Sequence, residues 1–392
     1  MNISQRHRDR ITIVLLSCSL AGFACAAQAA KQGANGELPS PEAWKYSKTI
    51  TLDTTPVGAN VGEDVQNYPL AVLLDRTRFD FDQAQPDGAD IRFFDRAGKS
   101  LPHAIELWDK PAGRAAIWVL LDQVEGGSQD QAIVMRWGNS GAPDASDSKA
   151  VFKQEHGFVG VWHLGEEGNT NPDGYEDASD HEAHGTGVGM IAGSRVDARV
   201  GKGVNLHNPK GQETARWIRV SGEKTTRFNP GPPITVSIWA LGHSYPIRSY
   251  ETMIAKGDTS WTLQRVQYSS GQGYQSCVRV PSYHLCAYNF DGQGLVTDQW
   301  LHFMVVLEEP SMKVYINGQL NATQEAGPWN KGTHDLGIGN QTQHLDGRRQ
   351  WDGILDEARV MQAARGPAWA KLDYESQRES PTLLKFGETE TR

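Results

Sequence analysis

Glycoside hydrolysis needs two carboxyl groups about 5–10 Å apart. On a strand, only residues i and i+2 or i+4 share a face, so such a pair would show as acidic residues two or four apart. No segment reads Glu-x-Asp-x-Glu, and the doublets Glu166-Glu167, Glu308-Glu309 and Asp356-Glu357 are adjacent instead. On a strand, neighbours point to opposite faces, which counts against a retaining or inverting hydrolase. No Gly-x-Ser-x-Gly elbow offers a serine nucleophile, and no glycine-rich loop offers a phosphate cradle. His181-Glu182-Ala183-His184 spaces its histidines by three, not as in the His-Glu-x-x-His zinc motif. The expectation is a protein that does no catalysis.

Binding chemistry fits the residues better. Asn169 to Asp180 reads Asn-Thr-Asn-Pro-Asp-Gly-Tyr-Glu-Asp-Ala-Ser-Asp, dense in side-chain oxygens. Hard cations such as calcium take clustered oxygens from loops. The plainer alternative is a solvated loop whose aspartates make Asx turns. Of twelve tryptophans, Trp118, Trp137, Trp162, Trp239 and Trp300 fall in strand patterns and read as packing. Trp329 and Trp351 lie in Gly-, Asn- and Asp-rich segments and are the candidates for stacking on a glycan.

These residues need a scaffold, and the chain spells a β one. Phe303, Val305 and Leu307 alternate on one face, as do Met312, Val314 and Ile316. Period-two alternation marks a strand with one buried face. Asn317-Gly318 follows, where a two-residue hairpin needs positive φ twice. Ile234, Val236 and Ile238 repeat the pattern, and Trp261 opens another short run. Upstream, strand-like runs begin at Tyr46, Tyr68, Asp90, Ala104, Ala116 and Ile133, separated by turn residues. The reading is all-β, with two consecutive β-sandwich domains at about 40–150 and 155–390. Gly138 to Lys149, rich in Ser, Asp, Gly and Pro, reads as the linker. Gly366-Pro367-Ala368-Trp369 opens a short C-terminal helix with Pro at its first position.

The length of 392 residues also favours two cores over one. Arg6, Arg8 and Arg10 precede an apolar run from Ile11 to about Cys25 and then Ala27-Gln28-Ala29, the layout of a secretory signal peptide over residues 1–29. That run is too short to span a membrane, and no later stretch reaches the required ~20 apolar residues. The chain is therefore read as exported, to the periplasm or beyond the cell. Losing three arginines and Asp9 with the signal takes the formal charge from −9 to −11. An acidic chain without basic runs is a poor partner for nucleic acid. Of four cysteines, Cys277 and Cys286 remain, flanking eight residues of a hairpin-like stretch. A disulfide is expected between them in an oxidising compartment.

The set Ile234–Trp239, Gln299–Gly318 and Gly353–Val360 resembles the recurrent strands of laminin-G, concanavalin-A-like jelly rolls. In that resemblance, calcium is held between an early Asp-x-Ser loop and a late Asp-Glu pair, which implies Asp177, Ser179 and Asp356 here. Asp87–Phe93, Leu101–Glu106, Ala116–Val119 and Phe158–Leu164 resemble an uncharacterised family of exported bacterial domains. That family commonly precedes a laminin-G-like module and is found with proton-channel subunits of the ExbB/TolQ/MotA type. The resemblance implies an accessory of an ExbB/TonB-type envelope transport system acting through protein or glycan binding. A lectin-like carbohydrate-capture protein is the alternative.

Overall fold

The computed structural model describes residues 43–392 apart from 208–214, 222–225, 230, 232, 244–249, 269–270, 282, 290–295 and 326. The expected signal peptide, residues 1–29, lies outside the described residues. The fold is nearly all β, as its alternating runs require, and all strand pairs within its sheets are antiparallel.

The first sandwich packs a three-stranded sheet on a six-stranded one. In the smaller sheet, Arg114–Val124 lies between Val65–Asp75 and His103–Asp109. Pro69, which cannot donate to a ladder, sits on the edge strand Val65–Asp75. The larger sheet has Tyr46–Leu52 beside Ala132–Trp137, followed by Arg92–Asp95 and Ser100–Leu101. Its outer edge is supplied by the far end of the chain: Leu384–Phe386 and Glu390–Thr391 both pair with Tyr46–Leu52. Residues 384–391, which the sequence reading groups with the second sandwich, thus complete the first.

The second sandwich is a jelly roll of an eight-stranded and a seven-stranded sheet. Gly353–Met361 runs through the eight-stranded sheet, between Ile234–Gly242 on one side and Lys202–Asn205 and Phe158–Trp162 on the other. Ile234–Gly242 is followed outward by Trp300–Glu308, Ser311–Ile316 and Gln319–Glu325. The Asn317-Gly318 hairpin forms as expected, with φ of 50° and 75° and Ile316 opposite Gln319. The seven-stranded sheet has Trp261–Tyr268 between Tyr250–Ala255 and Gly271–Arg279, with His284–Asn289 on the edge.

Trp300–Glu308 departs from the half-buried strand its alternation suggests. Phe303, Val305 and Leu307 enter the jelly-roll core, but Met304 and Val306 are buried too. They join a cluster that continues through Trp369, Ala370 and Leu372 of the helix Pro367–Gln377 into the core of the first sandwich. The helix wedges between the two, and Tyr68 Oη meets Ser376 Oγ at 2.7 Å. One apolar cluster therefore spans both sandwiches, so the described residues form a single packed body. The segment read as a linker is tied down accordingly: Gln85 donates to the carbonyls of Asn139 and Ala142, and Arg92 to that of Pro143.

Candidate functional site

Two places gather groups able to bind or react. The first lies at the junction of the sandwiches. Glu106 sits in a bulge of His103–Asp109, where the register slips between Ile105 and Leu107. His163 follows the strand Phe158–Trp162 and precedes Leu164, whose φ is +64°. Glu357 lies at a register shift in Gly353–Met361, with φ +52°. Bulges re-aim side chains, and here two of them bring Glu106 and Glu357 to His163 at the end of its strand. Nδ1 of His163 is 2.6 Å from Glu357 Oε1 and 3.5 Å from Glu106 Oε2. Trp118 Nε1 donates to Glu106 Oε2 at 2.8 Å, and Arg359 holds Glu357 Oε2 with two of its nitrogens. The His163 ring stacks on Trp118, whose ring also carries the Arg359 guanidinium at 4.3 Å.

Charge is scarce to solvent here: the side chains of Glu106, His163 and Glu357 are 6%, 17% and 1% exposed. Burial, then Glu357, pushes the Glu106 carboxyl well above the usual carboxylate range. Burial works to neutralise His163, but the carboxylates of Glu357 and Glu106 outweigh it and raise its pKa to about 9. Burial opposes ionisation of Glu357 as well, yet His163 and Arg359 hold it below its ordinary value. Two neighbouring carboxyls are thus driven apart in acidity. Glu106 and His163 line a cleft of about 350 Å³ that also presents Glu166, Arg195 and Lys202.

This corrects the expectation that adjacent Asp356 and Glu357 point apart with no carboxyl partner. The bulge and the left-handed Glu357 break strict alternation, and both carboxyls act on Glu106. Paired carboxyls do exist, but they come from different sandwiches, so a search along single strands misses them. The only signal was that Glu106, His163 and Glu357 each fall in one of the recognisable segments.

The second place is the outer face of the seven-stranded sheet. Gln264 and Gln275 lie opposite each other on neighbouring strands, and Thr262 is two residues from Gln264. All three point away from the jelly-roll core yet are only 2–4% exposed, so a recess covers them. The recess, about 160 Å³, is walled by Tyr250, Tyr268 and Tyr288, with Asp258, His284 and Arg349 also lining it. Tyr268 Oη donates to Gln275 Oε1 at 3.2 Å, and Gln341 Nε2 to Gln264 Oε1 at 3.4 Å. Burial, then the hydrogen bond with Tyr250, pushes the Tyr268 hydroxyl above its ordinary pKa, so it stays a donor. Arg349 lies over the Tyr250 ring at 4.0 Å. Thr262 Oγ1, buried, has no partner among the described residues, and neither has Thr252 Oγ1 on the next strand.

The residues expected to bind calcium are placed apart in their bonding. Asp177 Oδ1 accepts from the backbone N–H of Val161 and Ser179, and Oδ2 from that of Ala183. Ser179 Oγ accepts from His181 N at 3.3 Å. Asp177 therefore fastens its loop to the strand Phe158–Trp162, while Asp356 belongs to the junction cluster. The tryptophans expected to stack on glycan are in the jelly-roll core instead. Trp351 is 1% exposed under Arg265, whose guanidinium lies 4.5 Å from its ring, and Trp329 is 8% exposed. Their Gly-rich loops fold inward, and neither ring presents a face to solvent. Cys277 and Cys286 stand opposite each other and are bonded, as expected, at the rim of the tyrosine recess. No helix among the described residues is long and apolar enough to cross a membrane.

Among solved structures, domain 4 of AbnA, a GH43 extracellular arabinanase from Geobacillus stearothermophilus solved with arabinotriose, is similar at 18% identity. The match covers 57% of this chain and 98% of that one, with a TM-score of 0.40. The botulinum neurotoxin serotype D binding domain is similar at 13% identity and a TM-score of 0.41; the match covers 56% of this chain but only 52% of that one. The heptameric SAP-like pentraxin from Limulus polyphemus is similar at 18% identity and a TM-score of 0.29, over 36% of this chain and 68% of that one. No curated protein matches the chain. Residues 87–163, which include Glu106 and His163, match a family described as a domain of unknown function, DUF2341. Residues 213–371, which include Glu357 and the tyrosine recess, match one described as the concanavalin A-like lectin/glucanases superfamily. The chain thus carries a DUF2341 domain followed by a laminin-G-type, concanavalin A-like domain.

Proposed function

We propose that this protein is an exported, non-catalytic binding protein that captures a saccharide in the tyrosine recess of its jelly roll. The observation that carries this is the set Thr262, Gln264 and Gln275, polar side chains turned outward from a strand face yet shielded beneath three tyrosines. Amides and hydroxyls both donate and accept, which suits a ring of sugar hydroxyls. Tyrosine rings offer apolar faces to the C–H side of the same sugar. The unpartnered Thr262 Oγ1 is a buried polar atom that a ligand hydroxyl would satisfy. Arg349 and Asp258 at the rim add one charge of each sign. The disulfide fits an oxidising compartment and thus the export reading.

A glycan array followed by calorimetry on the best binder tests this. Binding should fall at least about tenfold in Gln264→Ala and in Tyr268→Ala, from one lost stacking or hydrogen-bonded contact. Glycan binding that survives both substitutions, or none across the array, would overturn the reading.

A further inference from the structure

The sandwich junction carries a feature that saccharide capture does not use. We propose that Glu106, His163 and Glu357 bind a divalent transition-metal ion, through one carboxylate oxygen of each glutamate and Nδ1 of the histidine. The three ligand atoms all lie within 4.8 Å of one another, each delivered by a different backbone segment. One imidazole nitrogen with carboxylate oxygens suits zinc and its first-row neighbours. Calcium, by contrast, takes six to eight oxygens, and this site offers an imidazole in their midst.

The charge pattern supports an added cation. Asp356 is fully buried, its Oδ2 accepts from Val200 N at 2.8 Å, and its Oδ1 has no partner among the described residues. The same short segment touches Glu106, for Gly201 approaches Glu106 Oε1 so closely that a Cβ there would lie 2.2 Å from it. Glu106 and Glu357 thus share His163 with the Asp356 carboxyl close by, while Arg359 divides its contacts between Glu357 and Asp373, the latter at 3.2 Å. An unpaired buried carboxylate oxygen is costly unless a proton or a cation compensates it. Trp118 and Arg359 already orient the two glutamates in the manner of outer partners to metal ligands. The cleft gives an ion its path in. Only a small adjustment is needed: His163 and Glu357, now 2.6 Å apart, must spread to about 3.3 Å to flank an ion at bond lengths of about 2.0–2.1 Å.

Zinc and cobalt(II) titrated calorimetrically into the purified chain lacking residues 1–29 test the proposal. The expected result is one ion per chain, with a heat that depends on the buffer because Glu106 and His163 both give up their protons to bind it. His163→Gln and Glu106→Gln should each weaken zinc at least about 100-fold, while Glu308→Gln, at an exposed position, should leave it unchanged. Unfolding of the unmutated chain gives a second readout that does not depend on the variants folding: zinc should raise its melting temperature. No heat and no melting shift with either ion would overturn the proposal. So would zinc binding retained in both junction variants.

Discussion

Glu106 Oε2 lies 3.5 Å from Nδ1 of His163, although one residue belongs to the first sandwich and the other to the second. Glu357 meets the same nitrogen from a third segment. One imidazolium therefore ties the two sandwiches together, and its protonation should register in stability.

The folded-state pKa of His163 is raised from 6.5 to about 9. Between those values the folded chain keeps a proton that the unfolded chain has lost. Its stabilisation is fully present below pH 6.5 and disappears as pH rises through 9. Urea unfolding should show stability falling across this window by on the order of 2 kcal/mol, a value discounted for the partly exposed ring. His163→Gln should flatten that slope. In Glu106→Gln, NMR titration should find the His163 pKa lower than in the unmodified chain.

Arg359 is buried between Glu357 and Asp373. Arg359→Met keeps the apolar stem but removes the guanidinium that two buried carboxylates share, leaving Glu357 to His163 and Asp373 to His302. A loss of about 3–5 kcal/mol is expected, read from the denaturant midpoint.

Trp351→Ala should destabilise by about 3–5 kcal/mol, because the ring fills the jelly-roll core beneath Arg265. Glycan affinity of the folded fraction should change far less than in Tyr268→Ala. The opposite ranking would restore Trp351 as a stacking residue.

Cys277→Ser with Cys286→Ser opens a short cross-strand loop at the sheet edge. The cost should be about 2–3 kcal/mol, measured by unfolding. In the unmodified chain, neither thiol should be alkylated without reductant.

Deleting residues 384–392 uncovers the ladder of Tyr46–Leu52 and removes the Lys385–Asp53 ion pair, 2.6 Å long. The melting temperature should drop, and size-exclusion chromatography should show self-association through the bared strand.

The strands were legible because each depends on local alternation, and the Asn317-Gly318 hairpin because φ preference resides in two residues. The Cys277–Cys286 bond was legible for the same reason, as its partners face each other across one hairpin. Glu106 with His163 and Glu357 was not. Their meeting depends on two bulges, one left-handed glutamate and the docking of two sandwiches, and strict alternation points the other way. Trp351 misled because its polar, glycine-rich neighbours are typical of exposed loops, whereas the ring itself turns into the core. The tyrosine recess escaped notice for a related reason. Tyr250, Tyr268 and Tyr288 lie on three different strands, and only the sheet order brings them together.

The strand Tyr46–Leu52 takes one neighbour from Ala132–Trp137 and the other from the last residues of the chain. Synthesis proceeds from the N-terminus, so this strand emerges early and must wait with one side open until residues 384–391 arrive. The domain that begins first is completed last. The first sandwich cannot be complete before residues 384–391 are made, and that open interval leaves its edge exposed to mispairing.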